Sequence, residues 1–454
     1  MTKTQNLQPK TYQTVVGLEI HVELATTTKM FCRCAVPSLS DKPNTRTCPI
    51  CLGLPGALPF TNSKAIEDCV QIGLALNCTI SKNSYFERKN YFYPDLAKGF
   101  QTSQYLHPFG EKGYLDIKVN GLTKRIGITR VHMEEDTGKL THATVDGKEV
   151  SLIDFNRSSV PLVEIVTEPD IRSGEEAKIF LTELQKIIRY LGVSTADMEK
   201  GQMRLEPNIS LAPLGWKLEN GLPKYKVEVK NINSFRFVEK AIAFEEIRQA
   251  EILDNGETPT QETRGWNEFK NKTVSQRSKE EAHDYRYFPE PDIPPINFTV
   301  QHIANIKKQI PELPSQKQER FVNEYSLKPY DAEILTRDKS LADFFETAVV
   351  DGKKVEVSAK AIANYIINKS SNIQNLVPAG LVKQIKEETT IVKLDNQTLK
   401  NIIQTVLEEN PQAVADFKAG KEQIIGFLIG KTRQASPEAK DTEQIREKLV
   451  EMLK

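Results

Sequence analysis

Hydrophobic and polar positions alternate with period two through most of the first 300 residues. The clearest run is Val16-Gly17-Leu18-Glu19-Ile20-His21-Val22-Glu23-Leu24. In an extended strand Val16, Leu18, Ile20, Val22 and Leu24 point one way, and Glu19, His21 and Glu23 the other. GYLDIKV, RIGITRVHMEE, VPLVEIVTE, RLEPNISL and KYKVEVKNI are further short segments set off by Gly, Pro and Asn, and they predict strands. Between them the period changes to that of an amphipathic helix at 62–76, 174–191 and 236–253. This mixture predicts an α+β fold with one large mixed-sheet N-terminal domain. The stretch PEPDIPPI at 289–296 closes it.

Beyond that point only the helical period remains. It covers 300–325 with a break at IPELP (310–314), then 338–350, 358–370, 396–409 and 443–453, with Pro411 and Gly420 as joints. The expected organisation is 1–295 as the α+β domain, 296–395 as a helical domain and 396–454 as a helical tail.

Composition narrows the class. The 454 residues carry 61 Lys plus Arg and 61 Asp plus Glu, a formal net charge of zero. That argues against a purely electrostatic nucleic-acid coat but leaves room for local patches. No run approaches the roughly 20 apolar residues of a membrane span. The opening MTKTQNLQPKTYQ has no apolar core of a secretory signal, so the expected compartment is the cytoplasm.

Of six cysteines, Cys32, Cys34, Cys48 and Cys51 form C-x-C-x13-C-x-x-C, with a polar, Pro-containing connection between the pairs. Zinc takes four thiolates tetrahedrally from two such knuckles, and a site with no open position is structural. A zinc-binding insertion is therefore expected at about 30–55. Cys69 and Cys78, in DCVQIGLALNCTI, are expected to be buried thiols of a helix.

The polar face of the first strand has two readings: a solvated surface, or part of a divalent-cation site. Two other segments bring carboxylates to strand ends, His132-Met133-Glu134-Glu135-Asp136 and the stretch from Pro161 to Asp170 with Glu164 and Glu168 on one face. Glu164 lies between apolar neighbours, where an unpaired charge is costly. Converging carboxylates suit Mg²⁺, while His21 suits Mn²⁺ or Zn²⁺ better.

Arg88 and Lys89 adjoin Tyr91, Phe92 and Tyr93, and Arg277 and Lys279 precede Asp284-Tyr285-Arg286-Tyr287-Phe288. Cations interleaved with aromatics suit base stacking with phosphate contacts, and equally suit tyrosine-rich packing under surface charge. Lys230 and Asn231, with Arg204 and Asn208 near another strand, can converge on a carboxylate or phosphate. GFLIGKT at 426–432 is no phosphate-binding loop, because Ile425 stands where the motif needs Gly and the surroundings read as helix.

These segments together closely resemble the B-subunit family of the aspartyl/glutamyl-tRNA amidotransferases (GatB/GatE). The resemblance is carried by GLEIHVEL (17–24), KMFCRC (29–34), NTRTCPICLGLPGALP (44–59), RKNYFYPDL (88–96), QTSQ (101–104), HMEEDTGKLTH (132–142), NRSSVPLVEIVTEPD (156–170), EVKNINSF (228–235) and DYRYFPEPD (284–292). The helical region matches more loosely, through IPELP and GFLIG. RLEPNIS stands where the family has a pattern closer to R-C-D-A-N-V-S, and the tail after 430 is short.

The resemblance implies a cradle-like catalytic domain over 1–295, a helical domain, and a YqeY-like tail over 396–454 that binds tRNA. It implies an ATP-dependent ligase acting on Glu-tRNA(Gln), Asp-tRNA(Asn) or both. The side-chain carboxylate is phosphorylated and then amidated by ammonia. No amidase signature is present here, so ammonia is expected from an amidase-type A subunit, with a small C subunit completing a heterotrimer. By motif position Glu19, His21, Glu135 and Glu164 are the expected Mg²⁺ ligands and catalytic residues, with Glu134 the nearest competitor for the third place. Lys89, Tyr91, Tyr93, Arg204, Asn208, Lys230, Asn231 and Arg286 are expected around substrate and ATP. Lys418, Lys421, Lys431, Arg433 and Lys440 are candidates for tRNA phosphate contact, or for a solvated face. Structural zinc is expected at the four cysteines. The competing reading is a non-catalytic zinc-containing tRNA scaffold, which needs no acidic metal pocket.

Overall fold

The structure, a computed structural model, describes residues 11–278, 285–369, 376–389, 394–436, 439 and 441–453. Lys279, Asp284 and Lys440 lie outside these residues. Along the first part of the chain the elements are β1 (Tyr12–Glu23), α1 (Ser63–Ala75), β2 (Thr79–Ile80), β3 (Asn83–Ser84), β4 (Glu87–Asn90), β5 (Phe100–Ser103), β6 (Gly110–Val119), β7 (Leu122–Glu135), β8 (Lys139–Val145), β9 (Lys148–Asp154), β10 (Pro161–Thr167), α2 (Gly174–Leu191), β11 (Met203–Pro213), β12 (Val227–Lys230), α3 (Phe235–Asp254), β13 (Glu262–Asn267), β14 (Lys272–Ser278), β15 (Arg286–Pro289) and β16 (Ile296–Asn297).

Nine strands form one sheet in the order β14-β13-β12-β11-β1-β10-β7-β6-β2. Neighbours are antiparallel except β12 and β13, which run parallel. The α+β expectation holds. The alternation of β1 sets the layering. Val16, Ile20 and Val22 are 0% exposed and Leu18 is 1% exposed. They belong to a core shared with residues of α1, α2 and α3. Each such side chain removes apolar surface worth about 1.5–3 kcal/mol from water.

The covering helices start where their caps say. Asn62, Ser173 and Ser234 accept from the backbone N–H of Ala65, Glu176 and Phe237. Gly174 lets α2 approach α3, since a Cβ there would lie 2.5 Å from the Glu239 carbonyl oxygen. Cys69 is buried in α1 as expected, but Cys78 lies past the end of that helix, beside β2.

The opposite face of the sheet is polar. A second, three-stranded sheet (β15-β4-β5) meets it where β5 packs against β7. That contact brings Lys89, Gln101 and Ser103 over the C-terminal end of β7.

The helices that follow are α4 (Val300–Gln309), α5 (Pro314–Tyr325), α6 (Pro329–Leu335), α7 (Lys339–Lys353), α8 (Ala359–Asn368), α9 (Pro378–Thr389), α10 (Asn396–Glu409), α11 (Pro411–Lys418), α12 (Ile424–Ala435) and α13 (Thr442–Leu453). One compact unit comprises 1–320 with 336–339, and the other 321–335 with 340–454. The first unit thus extends past the expected limit at 295, because α4 packs on α1. The second unit holds two separate apolar clusters. One centres on Phe321, Leu335, Phe345 and Ile362, the other on Leu399, Ile403, Leu428 and Leu449. The GFLIGKT segment lies within α12 and is no phosphate loop. Among the described residues no helix is long and apolar enough to cross a membrane.

Candidate active site

The register of the sheet decides which polar side chains meet. His21 lies opposite Glu164 on β10 and Arg204 on β11, and Glu164 lies opposite His132 on β7. One row further along β1, Glu19 lies opposite Glu206 on β11. Residues directly opposed in antiparallel strands share a face. A continuous polar band therefore crosses β11, β1, β10 and β7.

Two carboxylates and two imidazoles close on one another in this band. His21 Nε2 is 3.6 Å from Glu164 Oε2 and 3.6 Å from Glu134 Oε2. His132 Nε2 is 3.2 Å from Glu164 Oε2 and 3.5 Å from Glu134 Oε1. Ser103 Oγ donates to Glu134 Oε1 at 2.8 Å and Gln101 Nε2 to Glu134 Oε2 at 3.1 Å. Lys89 Nζ lies 3.9 Å from Glu134 and 4.8 Å over the Tyr285 ring.

Electrostatics follow from the mixture. Burial pushes the Glu134 and Glu164 carboxyls up. For Glu134 the Lys89 and His132 charges and the imidazole hydrogen bonds overcome that; for Glu164, pushed further up by the Glu134 charge, the His132 charge and the hydrogen bonds from both imidazoles do, and both end below the usual carboxylate range. Burial pushes His21 down, yet hydrogen bonds to Glu134 and Glu164 and their charges raise it to about 10. His132 is raised by the same partners against its own burial. The cluster is built for positive charge, whether protons on imidazole or a metal ion between ligands.

The donor set fits a divalent ion. Ligand atoms of His21, Glu134 and Glu164 all lie within 4.8 Å of one another. Adjacent positions around an octahedral Mg²⁺ are roughly 3 Å apart, so the N···O distances need only small adjustment. Imidazole among the ligands favours Mn²⁺ over Mg²⁺.

This is not the set expected from the motifs. Glu135 is placed elsewhere: its carboxylate is ion-paired with Lys98 and accepts the Thr102 N–H at 2.8 Å. The reason is the strand period. Glu134 leaves β7 on the same side as His132, and Glu135 on the other. Glu19 is also set apart, in a second acidic group with Glu206 and Glu228 whose oxygens lie within 4.8 Å of one another. Asn208 Nδ2 donates to Glu19 at 2.9 Å, and Lys230 Nζ lies 3.1 Å from Glu206 and 3.4 Å from Glu228. Burial pushes both the Glu206 and Glu228 carboxyls up; Glu206 stays raised, while at Glu228 a hydrogen bond from Glu206 and the Lys230 charge overcome burial and hold it down.

The other expected residues divide. Tyr91 reaches Gln101 Oε1 with its hydroxyl at 3.5 Å and packs edge-on to Tyr285, beside Lys89. Arg204 is engaged by Asp136, 3.1 Å away, which also pairs with Arg157 at 3.0 Å. Tyr93 and Arg286 are exposed, and Asn231 follows β12 with φ of 60°. In the second unit Lys418 and Arg433 are exposed, Lys421 pairs with Asp416 at 3.0 Å, and Lys431 lies 5.8 Å over the Phe427 ring. Gln101, Ser103 and His132 lie in the segments QTSQ and HMEEDTGKLTH, but those motifs gave them no role, and Lys98 lies in none of the segments. His132 was within reach, being two residues before Glu134 in an alternating run.

The four knuckle cysteines converge. Their Sγ atoms lie within 4.8 Å of one another, and Cys48 and Cys51 are 3.8 Å apart. Thiolates around tetrahedral zinc are about 3.8 Å apart. Lys29 is 0% exposed, and its Nζ lies 3.6 Å from Cys51 Sγ, which also accepts the Cys48 N–H at 3.1 Å. An ammonium buried against neutral thiols would be costly, and against thiolates it is matched. The group can therefore hold a metal such as zinc. Ser158 Oγ donates to the Cys51 carbonyl at 3.0 Å, and the Arg46 N–H to Asn156 Oδ1 at 2.7 Å, fastening the knuckle to the segment before β10.

Comparison with known proteins gives two family matches: "GatB/GatE catalytic domain" over residues 14–304 and "GatB domain" over residues 332–453. The chain is 45% identical to a protein of Dehalococcoides mccartyi strain CBDB1, covering 94% of this chain and 95% of that protein. It is 44% identical to one of Thermoanaerobacter pseudethanolicus (94% and 96% covered) and 44% identical to one of Persephonella marina (98% and 100% covered). All three are named as the B subunit of an aspartyl/glutamyl-tRNA(Asn/Gln) amidotransferase.

Proposed function

The chain belongs to the GatB/GatE family, and from that premise we propose that it activates the side-chain carboxylate of Glu-tRNA(Gln), Asp-tRNA(Asn) or both and converts it to the amide. A carboxylate is a poor acyl donor, because its charge repels nucleophiles and oxide is a poor leaving group. In the first step a carboxylate oxygen of the substrate attacks the γ-phosphorus of ATP and ADP leaves. In the second, ammonia attacks the acyl phosphate, inorganic phosphate leaves, and the nitrogen loses a proton.

The observation that carries this reading is the cluster of His21, Glu134, Glu164 and His132 on the open face of the central strands. His21, Glu134 and Glu164 would hold a divalent ion, which neutralises charge on the transferring phosphoryl group. Ser103 and Gln101 fix the Glu134 carboxylate. Lys89, 3.9 Å from Glu134, supplies a cation beside the reacting phosphate, and Tyr285 and Tyr91 screen it from water.

In the same reading the chain works in the cytoplasm in a heterotrimer with an amidase-type A subunit, the source of ammonia from glutamine, and a small C subunit. The knuckle holds structural zinc. The tail, 396–454, contacts the tRNA through Lys418, Lys421, Lys431 and Arg433.

The test is reconstitution with the two partner proteins and mischarged Glu-tRNA, using ATP labelled at the γ-phosphate. Label should pass to the aminoacyl-tRNA when no ammonia source is present, and Glu164→Gln should abolish that transfer. Amide formation without ATP, or equal transfer by Glu164→Gln, overturns the reading.

A further inference from the structure

A ledge of aromatic side chains borders the cluster on its β7 side. Tyr105, two residues past the end of β5, stacks on Tyr287 of β15 with ring centroids 4.7 Å apart and planes at 20°. The Arg130 guanidinium lies 5.4 Å from the centre of the Tyr105 ring. Tyr105 is 48% exposed, so nearly half of its surface is open to a ligand. Leu106, Tyr285 and Phe288, within two residues of the stacked pair in sequence, are exposed as well.

The ledge is held from inside. Glu87, which is buried, accepts the backbone N–H of Tyr105 at 2.6 Å and of Leu106 at 2.8 Å. Gln104 accepts the Met133 N–H at 3.1 Å, which ties the same segment to β7. The main chain at Tyr105 is therefore fixed while its ring is left outside. Packing of the core does not ask for that arrangement. A stacking surface does, because a ring already held in place loses little freedom when a ligand lands on it.

Arg130 adds an unmet donor. Its Nε is buried without a hydrogen-bond partner, a state that costs free energy until an acceptor arrives. A flat cation beside stacked rings suits a nucleobase and the phosphodiester next to it. The ledge is open, whereas a small molecule usually takes a concave pocket. An open aromatic surface suits the unpaired end of an RNA strand, whose bases are free to stack.

Spacing along β7 relates the ledge to the chemistry. Arg130, His132 and Glu134 are alternate residues on one face of the strand, about 7 Å apart, which puts Arg130 roughly 13 Å from Glu134. Ribose, ester linkage and an extended glutamyl side chain cover a comparable span. A base on the ledge thus leaves the substrate carboxylate at the cluster. Tyr287 also lies opposite Lys89 of β4, the residue 3.9 Å from Glu134, so one strand pair carries both the ledge and a cation of the cluster.

We propose that the Tyr105–Tyr287 stack, with Arg130 against it, seats the unpaired 3′-terminal base of the aminoacylated tRNA. This rests on the reading above.

The experiment uses the assembled complex. Glu-tRNA ending in 8-azidoadenosine is crosslinked to the wild type, and steady-state kinetics are measured for Tyr105→Leu and Tyr105→Phe. Three results together support the site: label on the peptide containing Tyr105 or Tyr287, a rise of about tenfold or more in KM for Glu-tRNA in Tyr105→Leu, and a value near wild type in Tyr105→Phe, which keeps the ring. KM for ATP should not move. A rise in KM for ATP alone gives the ledge to the nucleotide and overturns the proposal. Label that maps elsewhere, or an unchanged KM for Glu-tRNA in Tyr105→Leu, overturns it too. If Tyr105→Leu is poorly folded and every parameter shifts, the position of the crosslink in the wild type decides. Wild-type complex that forms no amide would instead sink the function, and the crosslink would still report on the ledge.

Discussion

Glu134 and Glu135 are consecutive residues of β7 whose carboxylates have separate partners. Glu134 meets His21, His132 and Lys89, while Glu135 is ion-paired with Lys98 and bound by the Thr102 N–H. Their substitutions should therefore have different signatures. Glu134→Gln removes one of the three proposed ligands and should weaken Mn²⁺ binding, followed by electron paramagnetic resonance, by about 100-fold or more. Glu135→Gln leaves the Lys98 ammonium without its counter-ion and should cost roughly 3 kcal/mol in urea unfolding, with a much smaller change in Mn²⁺ affinity. The reverse pattern would return Glu135 to the ion.

His132 faces Glu164 across β7 and β10 and touches both carboxylates of the cluster. It is 2% exposed, so nothing from solvent replaces it. His132→Ala should weaken Mn²⁺ binding roughly 10–100-fold, the usual cost of losing a partner that orients ligands. His132→Asn, which keeps a donor of similar reach, should recover part of that loss. Equal affinities for wild type and both variants would place His132 outside the site.

Much of this was legible in the residues. The alternation of β1 gave its buried and polar faces, and α2 was readable to its end residues because Ser173 caps it and Gly192 stops it with φ of 71°. The four cysteines were legible because their spacing is itself the ligand geometry. What the chain could not give was register. Placing Glu19 with Glu206 and Glu228, and His21 with Glu164, requires knowing that β1 lies between β10 and β11. Motif order alone put Glu19 and Glu135 at the same ion. The parity of the His132–Glu134 pair was in the sequence, but it became decisive only once His132 was paired with Glu164. The limit at 295 followed the proline-rich stretch, and only tertiary packing of α4 on α1 carries the first unit further.

Glu23 continues the polar face of β1 below His21. Burial and the Asp136 charge push its carboxyl up to about 7, against the pull of Arg157 and Arg204. A carboxyl whose pKa is higher folded than unfolded binds its proton more tightly in the native state. Its contribution is complete below the unfolded value near 4.5 and is lost as pH rises through about 7. Stability should fall across that window by about 2 kcal/mol on this account, after allowance for partial exposure. Glu23→Gln should flatten the slope of melting temperature against pH between these limits and be the more stable protein at pH 8. A wild-type profile that rises from pH 5 to 7 and is unchanged by Glu23→Gln would contradict this origin.

Lys29 offers a test of the charge state of the four-cysteine knuckle, and of the zinc proposed there, that does not depend on activity. It is 0% exposed, and the polar partner of its ammonium is Cys51 Sγ at 3.6 Å. Zinc with four thiolates carries two negative charges, and a buried cation at the sulfur removes one of them. Lys29→Met keeps much of the side-chain volume and removes the charge. It should weaken zinc retention against a chromogenic chelator by roughly 10-fold or more, as loss of a partner to a metal ligand does. Lys29→Arg should hold zinc better than Lys29→Met if charge is what matters, and no better if the shape of the lysine is. Metal stoichiometry measured in parallel on Cys51→Ser should fall from one zinc per chain to none. If Lys29→Met retains zinc as long as the wild type, the ammonium is not balancing thiolate charge, and its burial must be explained by packing alone.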